Sequence, residues 1–277
     1  MDTIVQAIVL GVVQGLTEFL PISSSGHLIL VPAVLGWDDP FLDSLTFSVM
    51  LHLGTLGALL VYFWRDWLRL VPAGLATFRD RSFAGDPDRR LAWLIIATML
   101  PAIVVGLLFD DFIEANVRTA GTVAVLLLVG AAILWFADHL GRTDRHIADL
   151  TFPQAFGIGV AQAAALFPGV SRAGISISAG RLIGLDRPDA ARFSFLMAAP
   201  IIAGAGAWET LKLLRGGTDV AIQAGPLLAG MVAAFVAGLA AIAFLLRWVA
   251  GHRLDIFVWY RIGLAALILA AVMTGRI

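Results

Sequence analysis

The sequence has no cysteine and little charge. None of its 277 residues is cysteine, which excludes disulfides and thiol chemistry. Asp, Glu, Lys and Arg make up 14% of the chain, whereas soluble domains contain about 25%, so the charged side chains are too few to cover a water-facing surface. Because 60% of the residues are hydrophobic and the mean hydropathy is +0.90, we expect an integral membrane protein.

An excess of basic charge is also missing. The net charge of −1 gives no reason to expect nucleic acid as a partner. The first residues, MDTIVQ, contain an acid and no basic residue, so a signal peptide is not expected and the first apolar segment is expected to stay in the protein.

Six segments are long and apolar enough to cross a membrane as helices, since a span needs about 20 residues. They are 44–64, 91–109, 119–138, 190–213, 222–247 and 257–275. Two further apolar regions, 3–35 and 152–184, are interrupted midway by LPISSSG and FPGVSRAG. Irregular backbone at membrane depth requires surrounding protein or a water-filled cavity. Both regions are therefore interpreted as re-entrant helical hairpins.

The two interrupted regions resemble each other. Residues 11–26, GVVQGLTEFLPISSSG, align without a gap on residues 159–174, GVAQAAALFPGVSRAG, and six of the sixteen positions are identical. Each half of the chain, about 1–140 and about 150–277, then has one hairpin followed by three spans. A hairpin returns to the side of the membrane from which it entered, and the three spans that follow end on the opposite side. The second half therefore starts on the opposite face, so an inverted-topology repeat is predicted. The predicted fold is an all-α polytopic membrane protein with a single membrane domain, 1–277.

Basic residues predict the orientation in the membrane. Under this topology 13 of the 19 Lys and Arg residues lie on one face, which the positive-inside rule makes cytoplasmic. Both termini and the opening of the first hairpin then face outward. The Arg-rich segment 65–90 is interpreted as a cytoplasmic loop that touches anionic lipid. Arg261 is expected to extend along its helix toward the cytoplasmic interface.

Polar residues concentrate at the first interruption. Glu18 lies in apolar surroundings, where a charge is costly unless it is paired or hydrated. Ser23–Ser25 precede a new helix, so their hydroxyls and the free backbone N–H groups would form an anion site. Gly26 suits a tight turn, and His27 in the first helical turn can donate or accept a proton.

The second interruption supplies a guanidinium. Arg172 requires a partner at membrane depth, and its planar fork matches phosphate oxygens two at a time. Together the two interruptions would offer a carboxylate, hydroxyls, an imidazole and a guanidinium, which suit phosphoryl transfer. Gln14 lies one turn before Glu18 and faces the same way. The residues assigned to substrate binding are Gln14, Ser23, Ser25, Gly26, Ser171 and Gly174.

Structural explanations stay open for these residues. Glu18 and Arg172 would also serve as a buried structural ion pair, the serines as helix caps, and His27 as a hydrogen-bonded structural histidine. His52 is interpreted as a packing or hydrogen-bonding residue. Secondary transporters also combine an inverted repeat with broken helices, so a transporter or lipid flippase is the alternative function.

The two motifs carry a family resemblance. QGLTEFLPISSSGHL (14–28) and FPGVSRAG (167–174) closely resemble the signature motifs of the undecaprenyl-diphosphate phosphatase family, also called bacitracin-resistance proteins. The resemblance implies an enzyme of the bacterial cytoplasmic membrane with its active site on the outer side. It implies hydrolysis of a prenyl diphosphate lipid, undecaprenyl diphosphate, which recycles the cell-wall lipid carrier and confers bacitracin resistance. Whether the chain forms a homodimer is left open.

The resemblance also implies roles for single residues. The family's (Glu/Gln)-x-x-x-Glu motif falls on Gln14 and Glu18, its functional serine and histidine on Ser24 and His27, and its arginine on Arg172. A divalent cation, Mg or Ca, is implied; because Gln14 is neutral, Glu18 and the diphosphate would hold it. Our hypothesis makes Ser24 the nucleophile and Glu18 its general base, with His27 assisting proton transfer. The rival assignments make His27 the nucleophile or have Glu18 activate water.

Overall fold

The computed structural model describes residues 2–81, 85–117, 119–215 and 223–275. Within these ranges every regular element is helical: there are eleven α-helices and two short 3-10 turns, and no β-strand. The prediction of an all-α protein is confirmed.

The first hairpin consists of α1 (Thr3–Phe19) and α2 (Ser24–Leu35). Asp2 caps α1, since its carboxylate accepts a hydrogen bond from a first-turn N–H at 3.1 Å. Leu20 is extended and ends α1, as expected for the residue before a proline. Gly36, with a φ of 64°, ends α2 in the left-handed conformation that glycine adopts without strain.

Two helices follow that meet at an angle of 88°, α3 (Leu45–Tyr62) and α4 (Trp64–Asp80). The prediction of a loop over 65–90 is wrong for most of that segment, because α4 is an amphipathic helix. Its apolar side chains Leu68 and Phe78 are 66% and 70% exposed. A helix with one apolar face that turns away from a spanning helix is typical of an element lying in the membrane interface.

The remaining helices complete the first half and form the second. They are α5 (Pro87–Val117), α6 (Ala120–Leu140), α7 (Phe152–Ala163), α8 (Arg172–Leu182), α9 (Arg187–Leu214), α10 (Ala224–Val249) and α11 (Asp255–Met273). The second hairpin consists of α7 and α8, and all six predicted spans fall on helices.

Helix length and composition identify an integral membrane protein. Among the described residues, α5, α6, α9, α10 and α11 are long and apolar enough to cross a membrane, and the bent pair of α3 and α4 would add a sixth span. The four hairpin helices have 17 residues or fewer, as expected for helices that enter a membrane without crossing it. The opposed orientation of the two halves in a membrane stays a prediction.

Close contacts at glycines place the first helix of each hairpin inside the bundle. α1 packs on α10, where a Cβ on Gly15 would stand 2.5 Å from the carbonyl oxygen of Ala234. α7 packs on α5, where a Cβ on Gly159 would stand 2.5 Å from the carbonyl oxygen of Thr98. Each hairpin therefore packs against a span of the other half, and this exchange brings the two interruptions together.

Candidate active site

Two short non-helical segments break the hairpins, the first tip (residues 20–23) and the second tip (residues 167–171). The last residues of the tips, Ser23 and Ser171, have φ angles of 73° and 72°. Only a few per cent of non-glycine residues adopt this left-handed conformation. The two serines are also equivalent in the alignment of the repeats, and each directly precedes the second helix of its hairpin. In both hairpins, therefore, the second helix begins directly after a serine with a positive φ angle.

Glu18, near the end of α1, gathers polar groups from both hairpins. Its side chain is buried, and Oε1 accepts a hydrogen bond from the guanidinium of Arg172, at the start of α8. Oε2 accepts hydrogen bonds from Ser24 Oγ at 2.7 Å and Gln14 Nε2 at 3.1 Å, and His52 Nε2 lies 3.4 Å away. The structure thus unites three of the four predicted catalytic residues around one carboxylate.

A cavity of about 250 Å³ lies against this cluster. The second tip touches the start of α2 beside it, where the N–H of Gly169 donates to Ser25 Oγ at 3.3 Å. Helices α3, α5 and α9 supply an aliphatic lining. The polar lining consists of Glu18, Ser23, Ser24, Ser25, His52, Gln162, Ser171 and Arg172. An apolar cavity with a few convergent polar groups is typical of a small-molecule or lipid-headgroup site.

The fourth predicted catalytic residue, His27, lies outside the cavity lining. Its Nδ1 bonds to the carbonyl oxygen of Ser23 at 2.7 Å, and its Nε2 bonds to the hydroxyl of Tyr260 at 2.7 Å. The imidazole also stacks on the Tyr260 ring, with centroids 5.6 Å apart. The predicted binding residues Gly26 and Gly174 are likewise buried away from the cavity lining. The structure does not bring these three residues to Glu18, and their functional roles stay predictions.

Sequence reasoning did not connect His52 with the site. Its Nδ1 donates to the carbonyl oxygen of Ser48 at 2.8 Å, which directs Nε2 at Glu18. With Nδ1 protonated, a hydrogen bond from Nε2 to a carboxylate requires the doubly protonated ring. His52 is therefore placed to hold or deliver a proton beside Glu18. The available signal was an ionisable side chain inside an otherwise apolar span.

Oxygen donors at the cavity fit a hard divalent cation. Glu18 is the one carboxylate in the lining, and Gln162, also in the lining, has a buried Oε1 with no hydrogen-bond partner among the described residues. Gln14 lies outside the lining, although its Oε1 is likewise buried and has no partner among those residues. Mg²⁺ is commonly held by one or two carboxylates together with substrate phosphates, so this donor set suits it. Elsewhere in the described chain, one group of three side chains has the spacing of metal ligands. It consists of His146, Asp186 and Asp189, which do not line the cavity.

The structure overturns the prediction for Arg261. Instead of reaching the cytoplasmic interface, its side chain is 0% exposed and donates to backbone carbonyls of both tips. The physical reason is that broken helices leave carbonyl groups without a partner at membrane depth, where water cannot satisfy them.

Comparison with known proteins gives the family. The family described as bacitracin resistance protein BacA matches residues 7–267. The chain belongs to this family. The resemblance seen in the two motifs is therefore confirmed.

Curated relatives cover nearly the whole chain. The undecaprenyl-diphosphatase of Desulforudis audaxviator is 45% identical over 267 residues, which are 96% of this chain and 97% of the relative. That of Rubrobacter xylanophilus is 46% identical over 274 residues, 99% of this chain and 100% of the relative. That of a Nocardioides species is 41% identical over 277 residues, 100% of this chain and 99% of the relative.

Proposed function

We propose that the chain hydrolyses undecaprenyl diphosphate to undecaprenyl phosphate and inorganic phosphate, the activity for which its relatives are named. The observation that carries this proposal is the contact of Glu18 with Arg172 and Ser24 beside one cavity. A guanidinium neutralises the diphosphate and the charge that develops in the transition state. A hydroxyl next to a carboxylate is an activated nucleophile.

The prenyl chain stays in the lipid while the diphosphate enters the cavity. Ala102 of α5 and Ile201 and Ala205 of α9 give this side of the cavity an apolar lining. An apolar lining contributed by two membrane helices suits the part of the prenyl chain next to the headgroup, so the rest of the lipid tail need not leave the membrane when the headgroup binds.

In the first chemical step Ser24 Oγ attacks the terminal phosphorus as its proton passes to Glu18, 2.7 Å away. The bond from that phosphorus to the bridging oxygen breaks, and undecaprenyl phosphate leaves with the electron pair. Water then attacks the phosphoserine, releases inorganic phosphate and restores the hydroxyl. When the substrate is bound, Arg172 contacts the phosphate oxygens instead of Glu18. The carboxylate of Glu18 is then free to act as the base.

Two rival assignments lead to different trapped species. A His27 nucleophile would carry phosphate on its imidazole, whereas water activated by Glu18 would leave no phosphoenzyme. The hydrogen bonds of His27 to Ser23 and Tyr260 favour Ser24, because they occupy both ring nitrogens away from the cavity.

A divalent cation, Mg or Ca, is part of the proposal. Glu18, Ser24 and the amide oxygen of Gln162 would hold it together with diphosphate oxygens. When bound, it would neutralise negative charge on the diphosphate.

We place the enzyme in the bacterial cytoplasmic membrane with the cavity open to the outer side and both termini outside. The concentration of arginines on the opposite face supports this orientation. There the reaction would return the lipid carrier to cell-wall synthesis. Greater amounts of the enzyme would then confer resistance to bacitracin, as the family name indicates.

Phosphate release from a prenyl diphosphate in detergent micelles tests the activity. Wild type should release phosphate, a chelator should stop the release, and Arg172→Ala should be nearly inactive while it purifies as a folded protein. A transporter would need a closed vesicle to show its activity. Wild-type protein that releases no phosphate in micelles supplied with Mg or Ca would overturn the proposed reaction.

A further inference from the structure

Arg261 in α11 is a buried cation with no acidic partner among the residues that the structure describes. Its side chain is 0% exposed, and within the described chain all its hydrogen-bond acceptors are backbone carbonyls. Burying a guanidinium without a counter-charge is unfavourable unless its donors are satisfied. The burial of Arg261 is therefore tolerated only if its N–H groups find hydrogen-bond acceptors inside the protein.

The guanidinium joins the two tips to each other and to α6. Nη1 donates to the carbonyl oxygen of Pro21 at 3.3 Å, in the first tip. Nη2 donates to those of Gly169 at 2.8 Å and Val170 at 3.0 Å, in the second tip. Nε donates to that of Leu127 at 3.1 Å, in α6. Only an arginine offers donors in a rigid planar fork that reaches all three segments.

The fork binds the same position in each repeat. Pro21 and Gly169 are equivalent in the alignment that places residue 11 on residue 159. Each lies three residues before a side chain that contacts Glu18, since Ser24 follows Pro21 and Arg172 follows Gly169 at that spacing. A shift of Arg261 would therefore displace both reacting side chains relative to each other.

Two glycines form the space that the guanidinium occupies. A Cβ on Gly130 of α6 would stand 1.9 Å from Nη2 of Arg261, and a Cβ on Gly174 of α8 would stand 2.8 Å from Nη1. Any side chain at Gly130 would therefore push the fork away from the tips.

We propose that Arg261 is a positioning residue, which fastens the two tips so that Ser24, Glu18 and Arg172 face one diphosphate. The inference rests on the proposed reaction at that site. Arg261 does not line the cavity, so it acts through the tips and not through contact with the substrate.

The first test is Arg261→Lys, with Arg181→Lys as the matched control. Arg181 is 1% exposed and also donates to backbone carbonyls, those of Gly141 at 3.0 Å and Leu185 at 2.6 Å, but these acceptors lie outside both tips. Unlike Arg261, it also has a carboxylate nearby, that of Asp138 at 3.5 Å. Both variants should lower the melting temperature. Arg261→Lys should lower kcat on the order of 100-fold, because misplacement of reacting groups by about 1 Å costs that much, with a much smaller change in KM.

Equal losses of kcat in Arg261→Lys and Arg181→Lys at equal loss of melting temperature would overturn the positioning role. Because wild type is measured in the same assay, a failure of the proposed reaction appears separately, as the absence of phosphate release from wild type.

The second test leaves Arg261 intact. Gly130→Ala should reduce kcat by displacing the fork, whereas Gly121→Ala on the same helix should not, because nothing lies within 4 Å of a Cβ at Gly121. A Gly130→Ala protein that folds and retains the kcat of Gly121→Ala would also contradict the proposal.

Discussion

The two hairpin tips have similar backbone conformations, but the side chains that follow them carry different chemical groups. Ser23 and Ser171 have the same left-handed conformation at equivalent positions. The next position is Ser24 in the first hairpin and Arg172 in the second, so a hydroxyl and a guanidinium begin α2 and α8. The position of Glu18 in the first hairpin corresponds to an apolar residue, Leu166, in the second. The repeat therefore preserves the scaffold, while its two copies supply complementary groups.

Neither hairpin contains a complete site. Glu18 without Arg172 would be a buried carboxylate with no full cation, and Arg172 without Glu18 would be a guanidinium at membrane depth with no anion. Both states are unfavourable in a poorly hydrated interior. Stability of the free protein and binding of the diphosphate thus depend on the same pair.

The largest expected effect on activity comes from replacing a residue of one hairpin with the residue at the equivalent position of the other hairpin. Arg172→Ser and Glu18→Leu should each reduce kcat/KM by about three orders of magnitude or more, because each removes a group that acts in the transition state. Each single variant also leaves one charge unpaired. The cost is about 3–5 kcal/mol of stability when the unpaired charge is the buried Glu18, and less when it is Arg172, whose side chain is 18% exposed.

The double variant Glu18→Leu/Arg172→Ser separates the two effects. It should regain melting temperature relative to the single variants, because no unpaired charge remains, and it should stay inactive. Recovery of phosphate release in the double variant would show that the pair is structural and not catalytic.

Ser24→Ala should be almost as damaging as the loss of Arg172. Removal of a nucleophile typically costs several orders of magnitude in kcat, and the Ser24 hydroxyl is the one that donates to Glu18 at 2.7 Å. Rapid quenching of the wild-type enzyme should trap phosphate on Ser24. Retention of more than about a tenth of the activity by Ser24→Ala would end the nucleophile assignment, and phosphate trapped on His27 would replace it.

His52 should give an intermediate effect that depends on its hydrogen bond. His52→Ala should lower kcat by about 10- to 100-fold, in the range expected for a residue that assists proton transfer. His52→Gln should recover part of this loss if the main role is to donate to Glu18 Oε2, now 3.4 Å from Nε2. The pH dependence of kcat distinguishes the roles, since a proton-transfer group contributes a titration that glutamine cannot. Equal activity of His52→Ala and wild type would remove His52 from the site.

Features that depend on local composition could be predicted from the sequence. The six spans follow from apolar length, and the two interruptions follow from proline, glycine and serine within apolar segments. The contact of Glu18 with Arg172 could be anticipated because two costly charges, each at an interruption, require partners. The amphipathic helix α4 differs from the predicted loop because the arginines in 65–90 favour a loop, whereas the apolar residues among them repeat at helical spacing.

Features that depend on the packing of distant helices could not be predicted. His52 meets Glu18 only because α3 lies beside α1, and nothing in either segment specifies that contact. Arg261 was assigned to the interface because long basic side chains near helix ends commonly reach it. Its actual environment depends on Gly130, which lies far away in the sequence and provides the space for the guanidinium.

The smallest expected effect concerns the strained serines themselves. Replacing a residue of positive φ with glycine relieves backbone strain on the order of 1 kcal/mol, although glycine also gives the unfolded chain more conformational freedom. Ser171 Oγ caps α8 by accepting the N–H of Gly174 at 3.1 Å, whereas Ser23 makes no capping hydrogen bond to α2. Replacement of a capping serine by alanine costs roughly 1 kcal/mol, but replacement by glycine costs only a few tenths.

Ser171→Gly should therefore be less stable than Ser23→Gly by a few tenths of a kcal/mol, the usual cost of replacing a capping serine with glycine. Thermal unfolding of both variants in the same detergent measures this difference without reference to activity. Equal melting temperatures would mean that the Ser171 cap contributes no more than the hydroxyl contact of Ser23 with Ser25, at 3.2 Å. A lower melting temperature for Ser23→Gly would show that this contact stabilises the first tip more than the cap stabilises the second.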